Sequence, residues 1–319
     1  MGVFVFLPLV LPLTAWPIAR LAEQHLHPRT ATRLLTGVAV VMAACSTVCL
    51  GLVMVVGTAQ LPGNPPPDFV RGDPQPDGWS DPEVRAAVPY DEVVGKAAIP
   101  ALCAVVVACA RTLWRHGRVR RHAHRALSGL PGTGVAVLPD EVPYAYALPG
   151  GRRDRVVVTT ALLDCLEPAE RRALFAHERA HLAARHHRYL LAVQLAARAN
   201  PFLRPLRTAV SYTAERWADE EAAKAVGSRR TVACAIGEAA LVSRGTPLAT
   251  LAGFAAPGPV PRRVAALLGP APPVRRWPSL FTSVGLAAWC AAAGTAASAM
   301  SSANSAVKMV LILRAATPL

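Results

Sequence analysis

From Leu34 to Val56 the chain carries no charged residue, and no other feature limits its fold so strongly. A helix of about 20 apolar residues matches the thickness of a bilayer, where a chain must satisfy its own backbone hydrogen bonds. Three further stretches invite the same reading. The first, 2–18, contains Pro8, Pro12 and Pro17. With no basic segment before it and no small-residue cleavage signature after it, it reads as a span rather than a signal peptide. Residues 97–114 are interrupted only by Pro100 and Arg111. Residues 280–300 are rich in Ala, Gly and Ser, a composition that lets helices approach closely within a bilayer. Composition agrees: 53% of the 319 residues are hydrophobic and 17% charged, against about 25% charged in soluble domains.

The formal charge of +14 is unevenly spread. Arg20, Arg29 and Arg33 follow the first stretch, and Arg111, Arg115, Arg118, Arg120, Arg121 and Arg125 end or follow the third. Arg275 and Arg276 precede the fourth, whereas the loop 62–95 is acidic and proline-rich. Basic flanks stay on the cytosolic side. The expected molecule is therefore mainly α, a four-span protein of the cell membrane with both termini outside. Region 1–114 holds spans at about 2–18, 34–56 and 97–114 and the outside loop 62–95. Region 115–277 is a cytosolic domain, and 278–319 is a fourth span at about 280–300 with a short outside tail. The arginine run has no interleaved aromatic residues and abuts a span, so topology explains it better than nucleic-acid binding, and no nucleic-acid partner is expected. The seven cysteines show no CxxC or zinc-finger spacing and read as small buried hydrophobes.

Within 115–277 the β-branched run from Arg155 to Thr160 reads as a strand. A helix starts after Glu167-Pro168, runs to about Ala199 and stops at Asn200-Pro201; a second covers about Leu206 to Ala225. The first helix carries His177-Glu178-Arg179-Ala180-His181, an HExxH. Histidines four apart share a helix face and can bind one Zn²⁺, with Glu178 placed to act as general base on a water. A catalytic zinc needs a third protein ligand, and Glu215 on the second helix completes a His₂Glu set. Asp219, one turn on, can accept the N–H of a ligating histidine. The cofactor expected is Zn²⁺ and the partner a protein or peptide substrate. Tyr212, Arg216, His186 and His187 are candidate donors to an oxyanion, although a continuous helix turns His186 and His187 away from His181. The strand at 155–160 offers main-chain pairing to an extended substrate.

His177 to His181, Asn200-Pro201-Phe202 and Glu215-Arg216-Trp217-Ala218-Asp219-Glu220 resemble the integral-membrane zinc peptidases of the BlaR/MecR antirepressor type. A weaker similarity runs to the CAAX prenyl protease and HtpX membrane peptidases. The resemblance implies a cytosolic α+β zincin-like module whose proteolysis acts in signalling, with loss of a transcriptional repressor as its outcome. Unlike the antibiotic sensors, this sequence shows no penicillin-binding domain after the last span, so β-lactam sensing does not carry over. The function expected is a membrane-embedded zinc endopeptidase. A non-catalytic signalling scaffold with the same fold is the alternative, and the intact Glu178 argues against it.

Overall fold

A computed structural model describes residues 7–59, 92–129, 134–150, 154–242, 260–272 and 283–315. Most of the acidic loop and the Arg275-Arg276 pair lie outside these residues. Residues 2–6 of the N-terminal apolar stretch lie outside the described residues, and the described part is not one helix. Its prolines divide it into α1 (Leu7–Val10), a 3-10 turn (Leu11–Thr14) and α2 (Ala15–His25). The long helices α3 (Pro28–Ala59) and α4 (Glu92–Ala126) contain the second and third stretches. Among the described residues these two helices are long and apolar enough to cross a membrane. Only 11% of the apolar window of α4 is covered by protein, and Val106 and Val107 are about 60% exposed, which a soluble core helix would not allow.

A three-stranded sheet of β1 (Val135–Leu138), β2 (Ala145–Leu148) and β3 (Arg155–Thr159) follows α4. Its order is β1-β3-β2, with β1 parallel and β2 antiparallel to β3. The strand read at 155–160 is therefore central, with both edges taken, and substrate pairing along β3 is excluded. One sheet face packs on Leu127 just past α4, and Val158 on the other packs with Leu162 and Leu166. Leu162 belongs to the short α5 (Thr160–Asp164).

Next comes α6 (Pro168–Ala183), opened by Pro168 and a reciprocal Glu167–Glu170 capping box. The helix does not continue to Ala199. Arg185 adopts a left-handed conformation (φ 55°, ψ 43°) and ends it, and α7 (His186–Ala199) starts afresh. Asn200 then accepts from the Phe202 N–H and turns the chain into α8 (Arg204–Val226), which Gly227 closes at φ 75°. The remaining helices are α9 (Arg229–Val242), α10 (Val260–Leu268) and α11 (Ser283–Ala315). The described part of the fourth apolar stretch lies in α11, where Ala291 and Ala299 pack in the buried clusters that include α3; 280–282 lie outside the described residues. The largest buried cluster joins α2, α3, α7 and α8: Leu35, Val38 and Met42 meet Val193, Leu206 and Val210.

Candidate metal centre

His177 and His181 lie one turn apart on α6, and α8 brings Glu215 against both. The two Nε2 atoms are 3.1 Å apart, and each is 3.5 Å from a Glu215 carboxylate oxygen. Ligand arms of about 2.0–2.2 Å in tetrahedral arrangement give edges of about 3.3–3.6 Å, so the three donors suit a zinc ion without rearrangement. Among the described residues they form the one such group. Glu178 lines the same cavity, of about 460 Å³, and the Ala147 N–H of β2 reaches its carboxylate.

Neighbouring groups fix each donor. Asp219, wholly buried, stands 3.0 Å from His177 Nδ1. His186 Nδ1 lies 2.8 Å from His181 Nδ1. The break at Arg185 makes this contact, since a continuous helix would have carried His186 round to another face. Behind His186 stands Trp217, with ring centres 4.6 Å apart, and Arg29 and Arg33 of α3 lie over the indole at 5.4 and 5.3 Å.

The sequence reading did not single out Arg263. From α10 it forms a fork on Asp219 (Nε–Oδ2 2.9 Å, Nη2–Oδ1 2.6 Å) and places Nη1 2.9 Å from Glu215. Two carboxylates this deeply buried require a cation, and that requirement was the available signal. Arg229 anchors the end of α10 by bonding the carbonyls of Ala266 and Gly269 while pairing with Glu220.

Burial works against a charge on His177, but hydrogen bonds to Asp219 and Glu215 outweigh it and hold its pKa up to about 10. Burial lowers His181 to about 4 and raises Glu178 to about 7. For Glu215 burial acts upward, yet Arg263 and the two histidines hold it well below the usual carboxylate range. The result is a cationic imidazole against buried carboxylates, a charge pattern in which a divalent cation can replace a proton.

The oxyanion candidates separate. Of the four, His187 lines the cavity; Tyr212, Arg216 and His186 do not. Tyr212 lies under the Arg262 guanidinium at 4.1 Å, and Arg216 is bonded to Glu220 at 3.0 Å. The exposed edge beside the metal group is β2. The Thr159 N–H donates to the Tyr144 carbonyl, so even-numbered residues of β2 turn their amides toward β3. Ala145 and Ala147 turn theirs toward the cavity.

Two histidines and a glutamate around one point, with a further glutamate beside them, form the donor arrangement of the zinc metallopeptidase class. Residues 110–199 match the model of Peptidase family M48, whose members are zinc metalloproteases. A curated relative, the Protease HtpX homolog 2 of Methanosarcina mazei, is 41% identical over 71 residues, 22% of this chain and 24% of that protein. The chain thus aligns with about a quarter of that relative's length. No solved structure matches. These matches support the M48 peptidase side of the resemblance, and the antirepressor type is not what they identify. Glu215, Asp219 and Arg263 lie beyond the family match, so the fold alone brings them to the histidines.

Proposed function

We infer that the chain is a zinc-dependent endopeptidase of the membrane, cleaving a protein segment near the bilayer surface. The observation that carries this is the His177–His181–Glu215 triangle, with 3.1–3.5 Å edges and Glu178 in the same cavity. His177, His181 and Glu215 would hold the metal, Asp219 and His186 would fix the two imidazoles, and Arg263 fixes both carboxylates. When bound, zinc would polarise the scissile carbonyl and acidify the attacking water. Glu178 takes that water's proton on its carboxylate and returns it to the leaving nitrogen. Without the metal, burial raises Glu178 to about 7; a bound cation beside it would lower it again, toward the carboxylate form that accepts a proton. The edge of β2 pairs with an extended substrate through Ala145, giving main-chain affinity with little sequence preference. The placing of this cleavage in signalling, with a repressor among its targets, follows from the antirepressor resemblance. The 115–277 segment faces the cytoplasm by its basic flanks, and the multi-pass arrangement follows from the apolar stretches.

Zinc content of the detergent-purified protein tests the reading, with Glu178→Gln, Glu215→Gln and His177→Ala beside wild type. The expected result is about one tightly held zinc in wild type and in Glu178→Gln, and a sharp loss in the other two. Peptide hydrolysis should fall at least about 100-fold in Glu178→Gln. A wild type that takes no zinc under metal-replete conditions leaves only the scaffold alternative.

A further inference from the structure

The cavity does not end at the metal group. His116 and Arg120, one turn apart on α4, and His187 at the start of α7 also line it. Arg111, Arg115, Arg118, Arg121 and Arg125, the flank of the third apolar stretch, are all exposed, whereas His116 and Arg120 are half-buried in the cleft. A residue serving only to mark the cytosolic side has no reason to leave solvent. Among the described residues no carboxylate lies within ion-pair distance of Arg120. The carboxylates of the lining, Glu178 and Glu215, stand at the metal end, and Glu215 is already held by Arg263. Asp154, whose charge reaches His187, accepts from the Gly150 N–H at 2.9 Å and does not line the cavity. Much of the remaining wall is apolar, with Leu182, Leu190, Leu191 and Ile236, beside Tyr144 and Tyr146.

We propose that Arg120, with His116 and His187, forms a subsite for a carboxylate of the substrate, carried on an acidic side chain or at the chain's C-terminus, among apolar neighbours. The proposal rests on the peptidase reading and names its substrate class. A guanidinium presents a planar fork matched to a carboxylate, and a half-buried site strengthens the pairing relative to open solvent. Burial, with Arg120 and Arg188 beside it, lowers His187 to about 4. It therefore offers an N–H without a second charge, and Arg120 sets the preference.

Binding can be measured apart from turnover. Zinc-loaded full-length Glu178→Gln in detergent is titrated with fluorescent apolar heptapeptides bearing one central Glu, Gln or Lys, each with a free or amidated C-terminus. Carboxylate-bearing peptides should bind about tenfold tighter than the amidated Gln peptide. A gain carried by Glu in amidated peptides assigns the side chain. A gain carried by the free terminus of the Gln peptide assigns the chain end. Adding Arg120→Gln should abolish the gain and Arg120→Glu should favour Lys, while Arg121→Gln, outside the cavity lining, leaves it intact. Equal binding of all peptides, no binding of any, or a preference that survives Arg120→Gln overturns the subsite. Zinc-loaded wild type that cleaves no member of a peptide library, while the binding preference stands, overturns the peptidase reading instead.

Discussion

His177 and His181 are held by different chemistry, a buried carboxylate for one and a neutral imidazole for the other. Asp219 faces His177 while Arg263 neutralises it from behind. Burial, with His181 beside it, lowers His186 to about 2, so it meets His181 uncharged; with a metal on His181 Nε2 the proton of that ring would sit on Nδ1, 2.8 Å from His186 Nδ1, which would accept it. Removing the His186 support should loosen the metal while sparing the fold, whereas removing Asp219 would also strip buried Arg263 of its fork. His186→Phe keeps a ring against Trp217 but deletes the acceptor, and zinc affinity measured by chelator competition should fall about 10- to 100-fold. His186→Asn, which restores an acceptor of similar reach, should recover much of it. A zinc affinity unchanged in His186→Phe would show that the 2.8 Å contact does not position His181. That His177 and His181 share a face was legible from spacing, because helical periodicity fixes where residues four apart project; Glu215 was reached from the third donor that a zinc needs. His186 was not, because the angular argument assumed a helix that in fact stops at Arg185. Arg263 was not, because nothing local to α10 states that its partners are two carboxylates on α8.

At the scale of elements, Arg185 bends the chain without a sequence signal. Ala184-Arg185-His186 contains neither glycine nor proline, and arginine is a good helix former. The strand at 155–159 and the stop at Asn200-Pro201 were legible, since β-branched runs and an Asn-Pro pair act locally. The central place of that strand was not, because it depends on β1 and β2, each only four residues long. A left-handed conformation costs a non-glycine residue about 1–2 kcal/mol. The Arg185 side chain is exposed, so replacing it releases strain and loses little packing. Arg185→Gly should therefore leave zinc binding intact and stabilise by up to about 1 kcal/mol, offset in part by the freer unfolded chain. Arg185→Val should destabilise by about 1–2 kcal/mol and weaken zinc binding, because the strained residue places His186. Thermal unfolding of both variants in one detergent decides the matter. A valine variant as stable as wild type would show that the turn does not constrain the site.

For the whole molecule, the apolar helix α3 packs into the region that carries the metal group. Leu35, Val38 and Met42 share one core with Val193, Leu206 and Val210, and Asn200 donates to Ser46 Oγ at 3.0 Å. At its N-terminal end Arg29 and Arg33 cover Trp217, which packs on His186, which touches His181. Charge patterning reads which side of a membrane a segment faces, but it carries no information about which helices share a core. That is why a boundary at 114 and 115 can be drawn from the sequence without corresponding to a packing boundary. The consequence is testable by truncation. Produced alone, 115–277 would expose the α7 and α8 faces that α2 and α3 cover, an apolar patch that promotes association. It would also lose the stack that backs His186. The fragment should aggregate and hold little zinc, whereas co-expression with 1–59 should restore soluble, zinc-binding complex in detergent. A monomeric fragment that binds zinc as tightly as the full chain would show that α3 is only an anchor. Rescue by 1–59 would instead make α3 part of the structure that holds the metal, and a shift of α3 could then be felt at His181 through Trp217 and His186.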